Sequence, residues 1–554
     1  MTYSDNKSQK VSDQLRQQAQ ATLTDSQIEE LRCFGKEHEV SKDNFLFRAG
    51  DEVSAFHVIL EGKVNIFDPY DEGGINEVVG SAAIIGELGQ LTGQKSLFSC
   101  QVKESGRVLS VSRDGLMEAI ATVPDIADNI ITSFRARRDV LIATSPGVMV
   151  VIGEEKSADM QRIRQFATRS RIPYSCEVPS SETAKRYIKE RDLKVNPVSV
   201  IVRDETTYEN PTNLELARAF GADLELPESR QVDLAIVGAG PGGLAASVYA
   251  ASEGLETVII DDTAVGGQAG TSSLIENYMG FPIGISGDHL AYRGQVQAIK
   301  FGAQFAMPYR ATALEKEKDG YKVILGDDGS INTRAVVLAC GVQYRKLPLD
   351  GLEKFEGCGI YYAATKLEAR FCKDADVYIV GGGNSAGQAA MFMSRYAKHI
   401  YLLVRSGGLA DSMSKYLSQR LEADEKVSIL THTEVKELYG EDTLEAIKIE
   451  NNNTGESNRR KLGALFLMIG AAPFTDWLTE IIELNEKGFV LTGLDVSSDK
   501  SNFETSCPGV FAVGDVRAGS VKRVASAVGE GSVVVSDVHK FLAQAQKNSK
   551  DCPS

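Results

Sequence analysis

The residues whose spacing implies chemistry begin with Gly238–Ala239–Gly240–Pro241–Gly242–Gly243, directly after the apolar run Val232–Val237. Gly238 lets the chain turn sharply off a strand. Gly240 lets a pyrophosphate approach the backbone, and Gly243 lets helix and strand pack closely. Pro241 and Gly242 open a predicted helix that continues from Leu244 to Ser252, whose free N–H groups and dipole favour phosphate. A second strand, Thr257–Ile260, ends at Asp261, where a carboxylate is expected to accept ribose hydroxyls. The pattern returns further on. The strand Val377–Val380 is followed by Gly381–Gly382–Gly383–Asn384–Ser385–Ala386, with Arg405 at the end of its next strand, Ile400–Val404. A carboxylate there would repel a 2′-phosphate, whereas Arg405 can pair with it, so NADPH is favoured over NADH, which stays possible. Two nucleotide sites in one chain imply a hydride passing from a nicotinamide to a flavin.

From Val232 to Leu542 the chain resembles the low-molecular-weight thioredoxin reductases and their relatives. Beyond the glycines, Gly266–Gly267–Gln268 stands at that family's flavin-ring loop, and Glu276–Asn277–Tyr278–Met279–Gly280–Phe281–Pro282 matches its flavin-flanking stretch except at Met279. Ala339–Cys340–Gly341 lies at the crossing back towards a second domain, and Val513–Gly514–Asp515 carries the late aspartate that holds the ribityl chain. The segment around Ala525 and Gly529 would start the final helix at the flavin. The resemblance implies that FAD is bound by Gly238, Gly240, Pro241, Gly242, Gly243, Asp261, Gly267, Gln268, Asn277, Gly341, Gly514 and Asp515. NADPH falls to Gly381, Gly383, Asn384, Ser385, Ala386 and Arg405.

One departure outweighs these matches. The family's C-A-T-C dithiol falls on Ala363–Ala364–Thr365–Lys366, with Tyr361 and Tyr362 in frame. Disulfide reduction needs an attacking thiolate and a resolving thiol, and neither Ala363 nor Lys366 supplies one. No catalytic residue is therefore assigned. The eight cysteines, Cys33, Cys100, Cys176, Cys340, Cys358, Cys372, Cys507 and Cys552, form no C-x-x-C and no metal-ligand spacing. Cys340, Cys358 and Cys372 are the candidates for a substitute thiol. A second departure follows Arg405. The family usually carries further basic residues there, where this chain has Ser406–Gly407–Gly408, so its preference for NADPH is expected to be weaker.

The elements ahead of this unit fall into two groups. Phe45–Phe47, Ala55–Leu60 and Lys63–Phe67 read as strands, with Glu61–Gly62–Lys63 as a turn, and Leu116–Ile142 reads as helical. Gly50–Asp51, Glu61–Gly62, Ile85–Gly86–Glu87–Leu88 and Leu91–Thr92–Gly93–Gln94 resemble a cyclic-nucleotide-binding β-roll. The arginine that pairs with the cyclic phosphate in that family is replaced by Ser96, beside Lys95, so the roll is expected to be degenerate. Next come a strand Val148–Ile152, a helix Ala158–Ser170, a strand Val198–Val202 after Pro197 and a helix Leu214–Phe220. They resemble a thioredoxin-like fold with Gly153–Glu154–Glu155–Lys156–Ser157 where its cysteines belong. The polar stretch Leu226–Arg230 reads as a linker.

The fold class is thus α/β: two nested Rossmann-type FAD and NAD(P) domains, preceded by a β-roll and a thioredoxin-like α/β domain. The expected limits are a tail or loose helix over 1–23, the roll over 24–145, the thioredoxin-like unit over 147–224, the FAD domain over 231–352 and 469–546, and the NAD(P)H domain over 353–468. A formal net charge of −16 argues against nucleic-acid binding. No apolar run reaches the roughly 18 residues that span a bilayer, so a cytoplasmic location is expected by default. A homodimer is expected, with the helix trailing the roll as a candidate contact. The leading reading is an NAD(P)H-dependent FAD oxidoreductase that hands electrons to an unidentified small-molecule or protein acceptor. The alternatives are a flavin-based redox sensor and a disulfide reductase that borrows a partner's thiols, with a cyclic nucleotide as an alternative ligand of the roll.

Overall fold

The computed structural model of the 554-residue chain describes residues 13–20, 22–52, 54–69, 76–86, 88–144, 148–154, 157–194, 197–222, 231–272, 275, 277–356, 359–362, 364, 366–369, 372–409, 413–441 and 443–550. Two long antiparallel strands, Ala55–Phe67 and Ser99–Ser112, form the spine of a six-stranded roll, with Gly35–Val40 on its edge. The turn expected at Glu61–Gly62–Lys63 is absent. One strand runs through it, with register shifts on either side of Glu61. Gly62 (φ +89°) absorbs the irregularity: a Cβ there would stand 2.5 Å from the Glu104 carbonyl oxygen. The helical stretch predicted over 116–142 is two helices, Arg113–Thr122 and Pro124–Thr144. Pro124 opens the second helix, where the lost N–H costs nothing.

Part of the expected leading tail is helical. Asp13–Ala19 packs on Pro124–Thr144 through Leu15 and Ala19 against Ala136 and Val140. Arg137 of the long helix donates to the carbonyls of Ala19 (2.8 Å) and Gly86 (2.8 Å), and all three residues line a cavity in the roll.

The next unit has the order strand, helix, strand, helix, strand, strand, helix. Its sheet runs Thr206–Glu209, Ser199–Val202, Met149–Ile152, Ser175–Glu177; only the last pair is parallel. That connectivity is thioredoxin-like. The strand Ser175–Glu177 and the helix Glu182–Arg191 are additions to the sequence reading. Ser157, Ser181 and Thr212 cap its three helices, and Thr212 forms a capping box with Glu215. The peptide before Pro197 and the linker 226–230 lie outside the described residues.

From Gln231 the two Rossmann units are nested. The parallel core of the first comprises Gln304–Ala306, Thr257–Ile260, Gln231–Val237, Ser330–Leu338 and, from far down the chain, Val510–Ala512. The second is a parallel sheet of Ile360–Tyr361, Ala464–Leu467, Asp376–Val380, His399–Val404 and Val427–Thr431. Between them the chain crosses twice. The two crossings pair as an antiparallel ribbon, Gln343–Tyr344 against Ala471–Ala472.

Candidate functional site

The first fingerprint is built as its spacing demands. Gly240 caps the helix Pro241–Ser252, and the proline occupies its first turn. A Cβ on Gly243 would lie 1.8 Å from the Gly238 carbonyl oxygen, so only glycine permits this contact. Gly240 faces Gly267 of the flavin-ring loop: a Cβ on Gly267 would stand 3.0 Å from the Gly240 Cα. A Cβ on Gly341 would meet nothing within 4 Å, and Gly529 is equally open. Bare backbone thus lines an open groove running from the helix N-terminus, which fits a dinucleotide pyrophosphate and its flanking groups.

Asp261 is placed beside this groove, but its carboxylate already works for the backbone. It accepts from the N–H groups of Ala239 (2.9 Å), Thr263 (3.0 Å) and Ala264 (3.1 Å). Burial pushes its carboxyl up, and Asp262 beside it adds to this. Gln268 donates to the Val342 carbonyl (2.9 Å), tying the ring loop to the interdomain crossing. Asn277 is exposed at the start of a loop whose Met279 is 93% exposed, while Tyr278 stacks on Phe281.

Gly514 and Asp515 are held by a residue that sequence reasoning missed. Glu530, on the final helix Val524–Lys550, accepts from the Gly514 N–H (2.6 Å) and pairs with Arg517 (2.7 Å). Asp515 is partly buried, which pushes its carboxyl up. A second missed residue comes from another unit altogether. Arg169, at the end of a thioredoxin-like helix, donates to the carbonyls of Ala264 (3.2 Å) and Gly267 (3.4 Å), the two sides of the flavin-ring loop. Neither residue has a local sequence signal, because each acts on a chain segment remote from it.

In the second unit Gly383 caps the helix Asn384–Met393, and Ala386 packs beneath Gly381, where a Cβ would stand 2.4 Å from the Met468 carbonyl oxygen. Ser385 is exposed in the first turn. The Asn384 side chain accepts from the Ser414 N–H (2.8 Å) and so anchors a neighbouring loop. Arg405 is exposed at the end of its strand. Its charge, after the hydrogen bond from Lys436, helps hold the Glu434 carboxyl low.

Of the family's dithiol positions, Ala363 lies outside the described residues, and Lys366 begins a four-residue helix, Lys366–Ala369. Tyr362 stacks on Tyr344 of the crossing ribbon (5.5 Å between centroids, 11° between planes) and donates to Glu356 (2.5 Å). Asp515, after burial, helps to push the Tyr344 hydroxyl up, so the aromatic pair spans from the dithiol flank to the flavin end. The Cys340 thiol lines a cavity of about 90 Å³ with Gly238, Asp261, Phe474 and Trp477. Burial pushes the thiols of Cys340 and Cys372 up to about 12. Cys358 lies outside the described residues. Among the described residues no helix is long and apolar enough to cross a membrane.

Residues 232–531 match the pyridine nucleotide-disulphide oxidoreductase family, and residues 37–123 match the cyclic nucleotide-binding domain. The first match spans more than half of the chain, which therefore belongs to the pyridine nucleotide-disulphide oxidoreductases. Within that family it groups with the thioredoxin reductase-like proteins, whose cofactors are FAD and NADPH. Thioredoxin reductase of Mycolicibacterium smegmatis is 32% identical over 312 residues, 56% of this chain and 97% of the relative. The "34.2 kDa protein in rubredoxin operon" of Clostridium pasteurianum is 32% identical over 319 residues, 57% of this chain and 99% of the relative. The crystal structure of Lactococcus lactis thioredoxin reductase in its FR conformation is 26% identical, with 57% of this chain and 100% of that chain covered and a TM-score of 0.48.

Proposed function

We propose that this protein is an NADPH-dependent FAD oxidoreductase that passes electrons to an acceptor outside the chain without an internal dithiol. The observation that carries this is the pair Ala363 and Lys366 at the dithiol positions of a chain that is otherwise equipped for both nucleotides. Two of the three candidate thiols are poorly suited to fill the gap. Cys340 and Cys372 are pushed up to about 12 and stay protonated near neutrality, whereas the thiolate is the nucleophile.

Bound FAD would supply two-electron carrier chemistry between NADPH and the acceptor. The chain's own residues do the positioning. Gly240 and the helix it caps offer N–H groups to the phosphates. Gln268 and Arg169 hold the ring loop, Glu530 sets Gly514 and Asp515, and Arg405 takes the 2′-phosphate. The acceptor classes that this arrangement admits are a quinone-like molecule, oxygen, a protein carrier or a partner's disulfide.

Anaerobic stopped-flow on the flavin-loaded protein tests the proposal. NADPH is expected to bleach the flavin quickly, and at least one acceptor of a panel to restore its colour at a comparable rate. Slow reoxidation by every acceptor, thioredoxin included, would reject turnover. It would favour a regulatory reading, which has its own support: the thioredoxin-like unit, which lacks the paired cysteines after its first strand, touches the flavin-ring loop through Arg169.

A further inference from the structure

Arg405 stands alone in its loop, because Ser406 and Gly407 follow where further basic residues would reinforce it. The neighbouring strand supplies a second nitrogen base. His399–Val404 and Val427–Thr431 are parallel and in register, Val404 opposite Thr431, so Arg405 and His432 leave the sheet side by side. His432 is fixed at both ends. Its N–H donates to the Ser406 carbonyl (3.1 Å), and its own carbonyl accepts from the Asn452 N–H (2.7 Å). Its backbone is left-handed (φ +51°), a conformation that few residues other than Gly, Asn, Asp and His adopt.

The imidazole lies against Gly407. A Cβ there would stand 3.1 Å from the ring's Nε2 and 3.3 Å from its Cε1. Gly407 is not in the left-handed region, so its backbone conformation does not require glycine. What glycine provides is room for the ring. The charged groups on the adjoining segments are Arg405 at the end of the facing strand, Glu434 and Lys436 on the strand Thr433–Tyr439 that follows His432, and Glu450 on the strand Ala446–Asn451, opposite Glu434. Lys436 pairs with Glu434 at 2.8 Å and lies 4.0 Å from Glu450, which offsets the charge of both carboxylates.

We propose that His432 is a specificity-determining residue for NADPH, forming with Arg405 a two-strand clamp on the 2′-phosphate. This rests on the reading that Arg405 takes the 2′-phosphate, and the test separates the two. Calorimetry on the full-length flavin-loaded protein gives the affinity ratio of 2′,5′-ADP to 5′-AMP. His432→Asn keeps a residue that tolerates the left-handed backbone and removes the imidazole. It is expected to lower the ratio about three- to tenfold, the value of a partly exposed charge-assisted bond. Gly407→Ala is expected to lower it in the same direction by displacing the ring, and His432→Arg to keep it within about twofold. Should His432→Asn not fold, Gly407→Ala and His432→Arg decide. An unchanged ratio in His432→Asn and Gly407→Ala, with a collapsed ratio in Arg405→Glu, overturns the clamp and leaves the Arg405 reading standing. A wild-type ratio near one that no variant moves overturns both.

Discussion

Arg169 links two units with a single side chain, and its removal has a defined expectation. Arg169→Ala is expected to weaken FAD binding about threefold to tenfold, the worth of a charge-assisted hydrogen bond shared between two carbonyls. Fluorescence of released flavin on dilution measures it, and undiminished retention refutes the role. Arg405→Glu is expected to raise the KM for NADPH far more than that for NADH, because it places a carboxylate against a phosphate; equal effects in a steady-state comparison would remove the 2′-phosphate from Arg405. Replacing Cys340, Cys358 and Cys372 together by Ala is expected to leave NADPH-driven flavin reduction and acceptor turnover within about twofold, since burial holds Cys340 and Cys372 protonated. Sequence already carried the glycines at this scale, because a close approach leaves a fixed local spacing. It did not carry Glu530, Arg169 or His432, whose partners lie in other chain segments. Asp261 is a mixed case: its position at the strand end is as expected, but its carboxylate is engaged by three backbone N–H groups that spacing does not reveal.

Elements were legible where apolar periodicity was strong and obscure where it was weak. The strands Gln231–Val237 and Asp376–Val380 are nearly all buried and stood out. The helix Glu182–Arg191 buries only Ala184 and Tyr187 on an otherwise charged surface, so its period was faint. The turn misread at Glu61–Gly62–Lys63 has the composition of a turn, but cross-strand pairing with Ser99–Ser112 overrides it. Within that long strand sits His57, buried, bonded to the Ser110 hydroxyl (2.6 Å) and stacked on Phe47. Burial, with a smaller push from His38, lowers its pKa to about 4. The unfolded histidine takes up a proton near pH 6.5 and the folded one does not, so the roll loses stability as pH falls between these values. The loss is expected to reach about 2 kcal/mol by about pH 5. Thermal melts from pH 7 down to pH 5 should show it, and His57→Phe should flatten the slope; an equally steep slope in the variant would exclude His57 as its source.

On the scale of the whole molecule, three units meet at one cluster of charges. Asp288, in the first turn of the flavin domain's helix Gly287–Lys300, pairs with Arg171 of the thioredoxin-like unit (2.5 Å) and Arg135 of the roll's trailing helix (3.1 Å). Arg171 also pairs with Asp139 of that same trailing helix. Tyr292 and Val296 of the flavin domain lie in the roll's hydrophobic core, so the junction is apolar as well as charged. Asp288→Asn is expected to cost about 1–2 kcal/mol, less than a fully buried pair because Asp288 is partly exposed and Asp139 still serves Arg171. Limited proteolysis of the full-length protein should then proceed faster; an unchanged rate would show that the apolar contact alone holds the junction.

The late strand Val510–Ala512 has a consequence for how the chain is made. It completes the flavin sheet beside Ser330–Leu338, yet the whole nicotinamide domain is synthesised in between. On the ribosome, the inserted domain emerges and closes before its host does, and the flavin groove stays unfinished until the end of translation. A nascent chain arrested before Val510 should therefore already bind 2′,5′-ADP while remaining colourless, so that flavin capture marks the completion of the polypeptide.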